Sequence, residues 1–168
     1  MRWGRVEDTF RYVRRMPRTD TASRSIDAPP DLVFAALVDP DALLAWLPPA
    51  GMHARFEHFD PRPGGSYRMV LTYEDSGGAP GKSTDDADIV EARFVEIVPG
   101  DRVVQAVEFA SDDPALAGTM TMTWTVAARD GGTLVEIRAD DVPDGIAAED
   151  HAAGMASSLE NLATHLER

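Results

Sequence analysis

Residues 77–84 come nearest to a chemical motif, because their sequence GGAPGKST resembles a phosphate-binding loop. Such a loop needs a glycine five positions before Gly81, where this chain has Ser76. It must also open a helix whose N-terminal amides hold the anion, whereas Asp85, Asp86 and Asp88 follow here. The segment is therefore predicted to be a hairpin loop without phosphate chemistry.

Histidine and cysteine usage argues against a metal site and against nucleophilic catalysis. The chain has four histidines and no cysteine, so thiolate ligands and thiol nucleophiles are excluded. His53 and His58 are five residues apart in one predicted strand, so their side chains point to opposite faces. No Gly-x-Ser-x-Gly sequence is present to place a serine nucleophile. We expect no metal and no cofactor.

Two residues remain as candidates for acid–base catalysis, Glu91 and His151. Glu91 lies in an otherwise apolar strand, and a carboxylate facing an apolar cavity would have a raised pKa suited to proton transfer. The alternative is that Glu91 pairs with Arg93 on the solvent face. His151 precedes Met155 by four residues, which places it on the apolar side of a predicted helix, at the mouth of a cavity or facing water.

Composition narrows the classes of partner. The net charge is −13, from 16 basic and 29 acidic residues. Such a surface repels phosphate backbones and anionic membranes, so we expect neither nucleic-acid nor membrane binding. No apolar run has the length of a membrane span, and the N-terminus lacks the apolar segment of a secretory signal. A cytoplasmic location is expected.

The charge is distributed unevenly, which divides the chain into a basic extension, residues 1–18, and one acidic domain, residues 19–168. The extension contains six arginines and two acidic residues, a local charge of +4. It is interpreted either as a docking tail or self-contact, or as an upstream stretch without a role if translation starts at Met16.

Hydrophobic periodicity predicts the order of the elements. A first strand over 21–28 precedes two short helices, the second over 41–47. Period-two alternation then continues through about six antiparallel strands, with a bulge near Phe94. The clearest strand alternates Met120, Met122, Trp124 and Val126 with four threonines, which is typical of a half-buried strand. The predicted strands after the helices cover residues 54–60, 67–74, 89–98, 102–109, 119–126 and 133–139.

A long C-terminal helix completes the domain. Met155, Leu159, Leu162 and Leu166 step by four, three and four residues and form a narrow apolar stripe. Gly154 is expected to allow a close contact between this helix and the sheet. Strands grouped together with helices at the ends predict an α+β fold, in which the helix covers one face of a curved antiparallel sheet.

Five short segments in this order resemble the START-like, birch-allergen-type superfamily. More narrowly, the chain resembles bacterial homologues of the C-terminal domain of the heat-shock-protein-90 ATPase activator. The resemblance covers about residues 20–168. The segments are APPDLVF at 28–34, LAWLP at 44–48, FDPRPGGSY at 59–67, VEIVPGDRVV at 95–104 and HAAGM at 151–155.

The resemblance implies a helix-grip fold of six or seven strands around the C-terminal helix, with an apolar cavity between them. Met155 stands where the family commonly has tryptophan, which implies a more adaptable cavity wall. The residues expected to line the cavity and bind the ligand are Trp46, Tyr67, Met69, Leu71, Met120, Met122, Trp124, Met155 and Leu159.

Three functions follow from the resemblance. The first is binding of a small hydrophobic molecule such as a lipid, a polyketide or an aromatic compound, without catalysis. The second is a cyclase or hydrolase that acts on such a ligand. The third is a chaperone-interaction module, with a chaperone contact or a homodimer contact as its partner interface.

Overall fold

The computed structural model describes residues 17–74 and 87–167, and within them seven strands pair into one antiparallel sheet. The strands are β1 Asp20–Ile26, β2 Met52–Phe59, β3 Ser66–Tyr73, β4 Ala87–Val98, β5 Arg102–Phe109, β6 Met120–Arg129 and β7 Gly132–Asp140. Their order is β1-β7-β6-β5-β4-β3-β2, so β1 and β2 form opposite edges. The predicted α+β fold with a curved antiparallel sheet is confirmed.

Three α-helices in the described residues pack on this sheet: α1 Pro30–Val38, α2 Pro40–Trp46 and α3 Ala148–Leu166. A proline opens each of the two short helices, where its missing N–H costs no hydrogen bond. Because α1 and α2 connect the two edge strands, they cross one end of the sheet. No helix within residues 17–74 and 87–167 has the length and apolar character needed to cross a membrane.

Hydrogen bonds along α3 hold it to the segment that follows α2. Ser158 Oγ donates to the carbonyl of Leu47 over 2.8 Å, and Asn161 Nδ2 donates to the carbonyl of Pro48 over 3.0 Å. The amide of Ala50 donates to Ser157 Oγ over 3.2 Å. Met155, Leu159 and Leu162 are buried, as the apolar stripe predicts. The helix is thus attached by polar contacts on one side and by apolar packing on another.

Two irregularities shape the sheet. The register between β4 and β5 shifts between Phe94 and Glu96, which leaves Val95 half exposed and confirms the predicted bulge. A second shift, between Phe56 and His58 in β2, gives no signal in the sequence pattern. Both bulges increase the local twist of the sheet.

The turn between β2 and β3 is held by an ion pair and by close backbone packing. Arg62 Nε and Nη2 donate to the two carboxylate oxygens of Asp60 over 2.7 and 2.8 Å. A Cβ at Gly65 would lie 2.3 Å from the carbonyl oxygen of Asp60, so no side chain fits there. The FDPRPGGSY segment is therefore a structural turn, as its proline and glycine content predicts.

Gly154 differs from its predicted role. A Cβ at this position would meet no atom within 4 Å, so the glycine does not permit a close contact between α3 and the sheet. It faces open space instead, because α3 stands away from the sheet at this point. The prediction of a tight contact is wrong.

Residues 77–84 and residues 1–16 of the predicted extension lie outside the described residues. Arg18, which the sequence assigns to the extension, is described. Its carbonyl accepts a hydrogen bond from the amide of Val142 over 3.1 Å, and its guanidinium donates to the carbonyl of Ile146 over 2.6 Å. Arg18 is therefore attached to the segment that leads into α3.

Alanine substitutions at Gly65 and Gly154 should have opposite effects on stability. Gly65→Ala forces a backbone shift and should lower the free energy of unfolding by about 2 kcal/mol or more. Gly154→Ala removes a flexible residue from an open position in a helix and should raise it by about 0.5–1 kcal/mol. Urea denaturation of both variants measures these changes, and a destabilised Gly154→Ala would contradict the open space at that position.

Candidate functional site

A cavity of about 580 Å³ lies between the inner face of the sheet and the N-terminal half of α3. Side chains of β3, β5 and β6 form its floor, since alternate residues of a strand point to the same face. The α2 helix and the segment after it close one side. Hydrogen bonds attach α3 to the 47–50 segment beside the cavity, and the buried residues Leu159, Leu162 and Ala163 follow further along the helix.

The cavity lining contains all but one of the predicted residues. The structure brings together side chains from β3, β6, α2 and α3 that are far apart in the chain. That these residues bind a ligand stays a prediction. They are Trp46, Tyr67, Met69, Leu71, Met120, Met122, Trp124 and Met155.

Leu159 is the exception, because it does not line the cavity. It is 2% exposed and belongs to the apolar core rather than to the cavity lining. Met155 of the apolar stripe lines the cavity, but Leu159 lies one turn further along α3, beyond the last lining residue, Ser158. The cavity side of α3 also includes Asp150, Gly154 and Ser157, which are not among the predicted residues. These lining positions are small or polar, so a search for apolar residues does not find them.

Two tryptophans build a rigid wall. Trp46 Nε1 donates to the carbonyl of Ala36 over 2.9 Å, which satisfies the polar edge of a buried indole. The rings of Trp46 and Trp124 meet edge to face with their centroids 5.5 Å apart. Both side chains line the cavity and also belong to the core, so this wall does not depend on a ligand for its position.

Tyr67 and Gln105 place polar groups in the cavity floor. Both residues line the cavity and are buried, at 5% and 6% exposure. Burial raises the pKa of the Tyr67 hydroxyl, and a hydrogen bond with Gln105 only partly opposes this effect. The hydroxyl is therefore neutral at physiological pH and can both donate and accept. Gln105 is not among the predicted ligand contacts, although a polar residue at an inward position of an apolar strand is a signal for one.

Glu91 does not reach the cavity, contrary to the acid–base hypothesis. It lies opposite Arg68 in the β3–β4 ladder, and the Arg68 Nη1 atom contacts its carboxylate on the outer face. The Arg68 Nε atom also lies 2.8 Å from Glu57 Oε2. Strand alternation turns Ala92 inward and Glu91 outward, so the carboxylate pairs across the strands and not with Arg93.

His151 does line the cavity, and a hydrogen-bonded chain positions it. Its Nδ1 atom lies 2.8 Å from Asp20 Oδ2, and Arg18 Nη2 donates to the same oxygen over 3.1 Å. The histidine and aspartate side chains are only 14% and 13% exposed. Burial alone would raise the pKa of Asp20, but the hydrogen bonds from His151 and Arg18 outweigh it, so the pKa lies below its usual value. These contacts join β1 to the first turn of α3.

The other histidines lie outside the cavity lining. His53 Nε2 is 2.9 Å from Glu74 Oε1, and His58 Nε2 is 3.1 Å from Ser66 Oγ. Among residues 17–74 and 87–167 no group of three histidine, aspartate or glutamate side chains is arranged to hold a metal ion.

Comparison with known proteins identifies relatives over nearly the whole described chain. Residues 27–167 match the family described as activator of Hsp90 ATPase homolog 1-like protein. A crystal structure from Chromobacterium violaceum is 34% identical, with a TM-score of 0.79 over 89% of this chain and 97% of that one. No curated protein matches the chain.

Two further structures share the fold at lower identity. A protein from Rhodobacter sphaeroides is 24% identical, with a TM-score of 0.71 over 89% of this chain and 92% of its own. A protein from Mesorhizobium loti is also 24% identical, with a TM-score of 0.68 over 90% of this chain and 98% of its own.

Asp20→Asn should destabilise the protein in a pH-dependent way. Because the pKa of Asp20 is lowered in the fold, its ionised form contributes stability above the unfolded value of 3.8. That contribution is lost as the pH falls through the lowered pKa. The variant should therefore unfold more easily than wild type at neutral pH, and the difference should shrink below about pH 4. Urea denaturation across this range measures it.

The matched control is Asp112→Asn, which changes an exposed aspartate with the same loss of charge. A difference that stays constant down to pH 2, or one that Asp112→Asn reproduces, would contradict the role of the Asp20 carboxylate.

Proposed function

The chain belongs to the family of activator of Hsp90 ATPase homolog 1-like proteins, and from that premise we propose that it binds a small hydrophobic molecule in the cavity. Proteins of this fold family commonly bind ligands. The observation that carries the proposal is the cavity itself. Its volume of about 580 Å³ falls in the range of about 300–1,000 Å³ that is typical of small-molecule sites.

The lining supports an apolar ligand. Aliphatic, thioether and aromatic side chains dominate it, and only a few polar groups interrupt them. Burial of apolar ligand surface against these side chains stabilises a complex by about 25 cal/mol per Å² before the cost of ordering. A lipid fragment, a polyketide or a polycyclic aromatic compound has the required character.

Methionine is frequent in this lining and favours broad selectivity. Met52, Met69, Met120, Met122 and Met155 all contribute to it. The unbranched thioether changes shape at low cost, so such a wall adapts to ligands of different outline. We therefore expect several related apolar molecules to bind with similar affinity.

Blocking the cavity from Gly154 tests this proposal. Leucine at this position meets open space at its Cβ and projects from the helix face that lines the cavity. Gly154→Leu should therefore weaken binding of the neutral fluorescent probe N-phenyl-1-naphthylamine by about tenfold or more, because the side chain occupies the ligand volume. Fluorescence titration of the purified protein measures the change.

The control variant is Ala156→Leu, which adds the same side chain to an exposed position of the same helix outside the lining. It should bind the probe as wild type does. Equal binding by wild type and Gly154→Leu, or no binding by wild type to any apolar probe, would refute the proposed function.

The position of His151 favours a second candidate function, hydrolysis of an apolar ester. Asp20 holds Nδ1, which leaves Nε2 without a hydrogen-bond partner in the described part of the chain. Nε2 would take a proton from a water molecule whose oxygen attacks the ester carbonyl carbon. The bond between the carbonyl carbon and the alcohol oxygen then breaks, and Nε2 gives its proton to that oxygen. His151 thus acts first as a general base and then as a general acid.

His151→Asn distinguishes this candidate from simple binding. The asparagine amide can still donate to Asp20, but it has no atom equivalent to Nε2. If the protein hydrolyses 4-nitrophenyl hexanoate, the variant should lose about a hundredfold in kcat with KM unchanged. His165→Asn, on the same helix and outside the lining, is the control. Hydrolysis at the same rate in His151→Asn would exclude this function.

A further inference from the structure

Two polar side chains lie in the apolar floor of the cavity without enough partners in the protein. Gln105 has two N–H donors and a carbonyl oxygen with two lone pairs. Its contact with the Tyr67 hydroxyl uses one of these. In residues 17–74 and 87–167 the side-chain amide of Gln105 makes no other hydrogen bond, although the residue is only 6% exposed. Buried polar groups are normally satisfied, so this pair has unused capacity inside the cavity.

Strand pairing brings the two residues together. Tyr67 in β3 lies opposite Ala92 in β4, and Ala92 lies opposite Val107 in β5. Gln105 is two residues from Val107 and therefore points to the same face. Both side chains therefore project into the cavity from the same face of the sheet, on either side of β4, where the intervening residue Ala92 is small.

The Tyr67 hydroxyl is fixed in place before any ligand arrives. Its ring packs against Phe56, Phe59 and Phe94, with centroid distances of 5.3, 5.7 and 5.7 Å. A side chain held this firmly loses little rotational freedom on binding, so its hydrogen bond contributes more fully to affinity.

Charge restricts the group that this pair accepts. No lysine or arginine occurs among the described lining residues, whereas Asp88 and Asp150 do. An anionic group at Tyr67 and Gln105 would lose its hydration without gaining a lysine or arginine partner, which is unfavourable. A neutral hydroxyl or ketone oxygen can accept from the Gln105 amide and the Tyr67 hydroxyl without this cost.

We propose that Tyr67 and Gln105 form a polar subsite that binds a neutral hydroxyl or ketone oxygen on an otherwise apolar ligand. This inference rests on the proposed function and adds the class of ligand. In this proposal the flexible methionine side chains contact the apolar part of the ligand, and the fixed Tyr67 and Gln105 side chains set its orientation.

Matched naphthalene probes test the subsite. 2-Naphthol and 2-methylnaphthalene have nearly the same shape and differ in one hydroxyl group. Displacement of N-phenyl-1-naphthylamine measures the dissociation constant of each, and the ratio of methylnaphthalene to naphthol constants reports the selectivity. This ratio should fall by about tenfold in a variant with both Tyr67→Phe and Gln105→Met, which keeps the volume and removes the polar groups. Gln105→Met alone should lower the ratio in the same direction and replaces the double variant if that one does not fold.

The control is Thr123→Val, which removes one hydroxyl on the outer face of β6, outside the cavity lining. It should keep the wild-type ratio. An unchanged ratio in the Tyr67 and Gln105 variants, while both probes still bind, would overturn the subsite and leave the proposed function standing. Tighter binding of 2-naphthoate than of 2-naphthol would also overturn it, because the subsite is neutral. Absence of binding by all probes would instead refute the proposed function.

Discussion

The cavity depends on the way α3 is held. Hydrogen bonds to separate segments fix the helix. His151 contacts Asp20 near its start, Ser158 donates to the Leu47 carbonyl in the middle, and the Asp27 amide donates to the Glu167 carboxylate just past its end. Because side contacts set its position, the N-terminal half does not have to pack against the sheet. Protein interiors are otherwise close-packed, so an empty volume of this size is consistent with a helix that polar contacts hold at its sides.

Flexible and rigid parts of the cavity have different origins. The methionines come from strands and from α3, and their side chains change shape at low cost. Trp46 and Tyr67 are fixed by contacts outside the cavity, the first by the Ala36 carbonyl and the second by three phenylalanine rings. In the proposed function, apolar ligands of different shape would therefore meet the same fixed tryptophan and tyrosine side chains. Such a division is consistent with a binding protein and also with an enzyme of broad selectivity.

The sequence predicts the elements well and their relative orientation less well. Alternation in β6 and the apolar stripe of α3 identify a sheet covered by a helix, because each pattern depends on nearby residues only. The side of the sheet on which Glu91 lies depends on the β3–β4 register, and the exclusion of Leu159 depends on how far along α3 the cavity extends. Both are set by long-range packing. Gly154 shows the same limit, since its sequence does not tell whether the space beside it is filled.

The edge strand β2 also bears on whether two copies of the protein could pair through their sheets. In the described part of the chain β2 is hydrogen-bonded to β3 on one side only, so its other side is an open edge. Arg55 and Glu57 place charges along it, and the register shift near Glu57 breaks its regular spacing. Charged side chains and bulges discourage a second strand from pairing there. The β2 edge is therefore a poor template for edge-to-edge pairing with a second sheet.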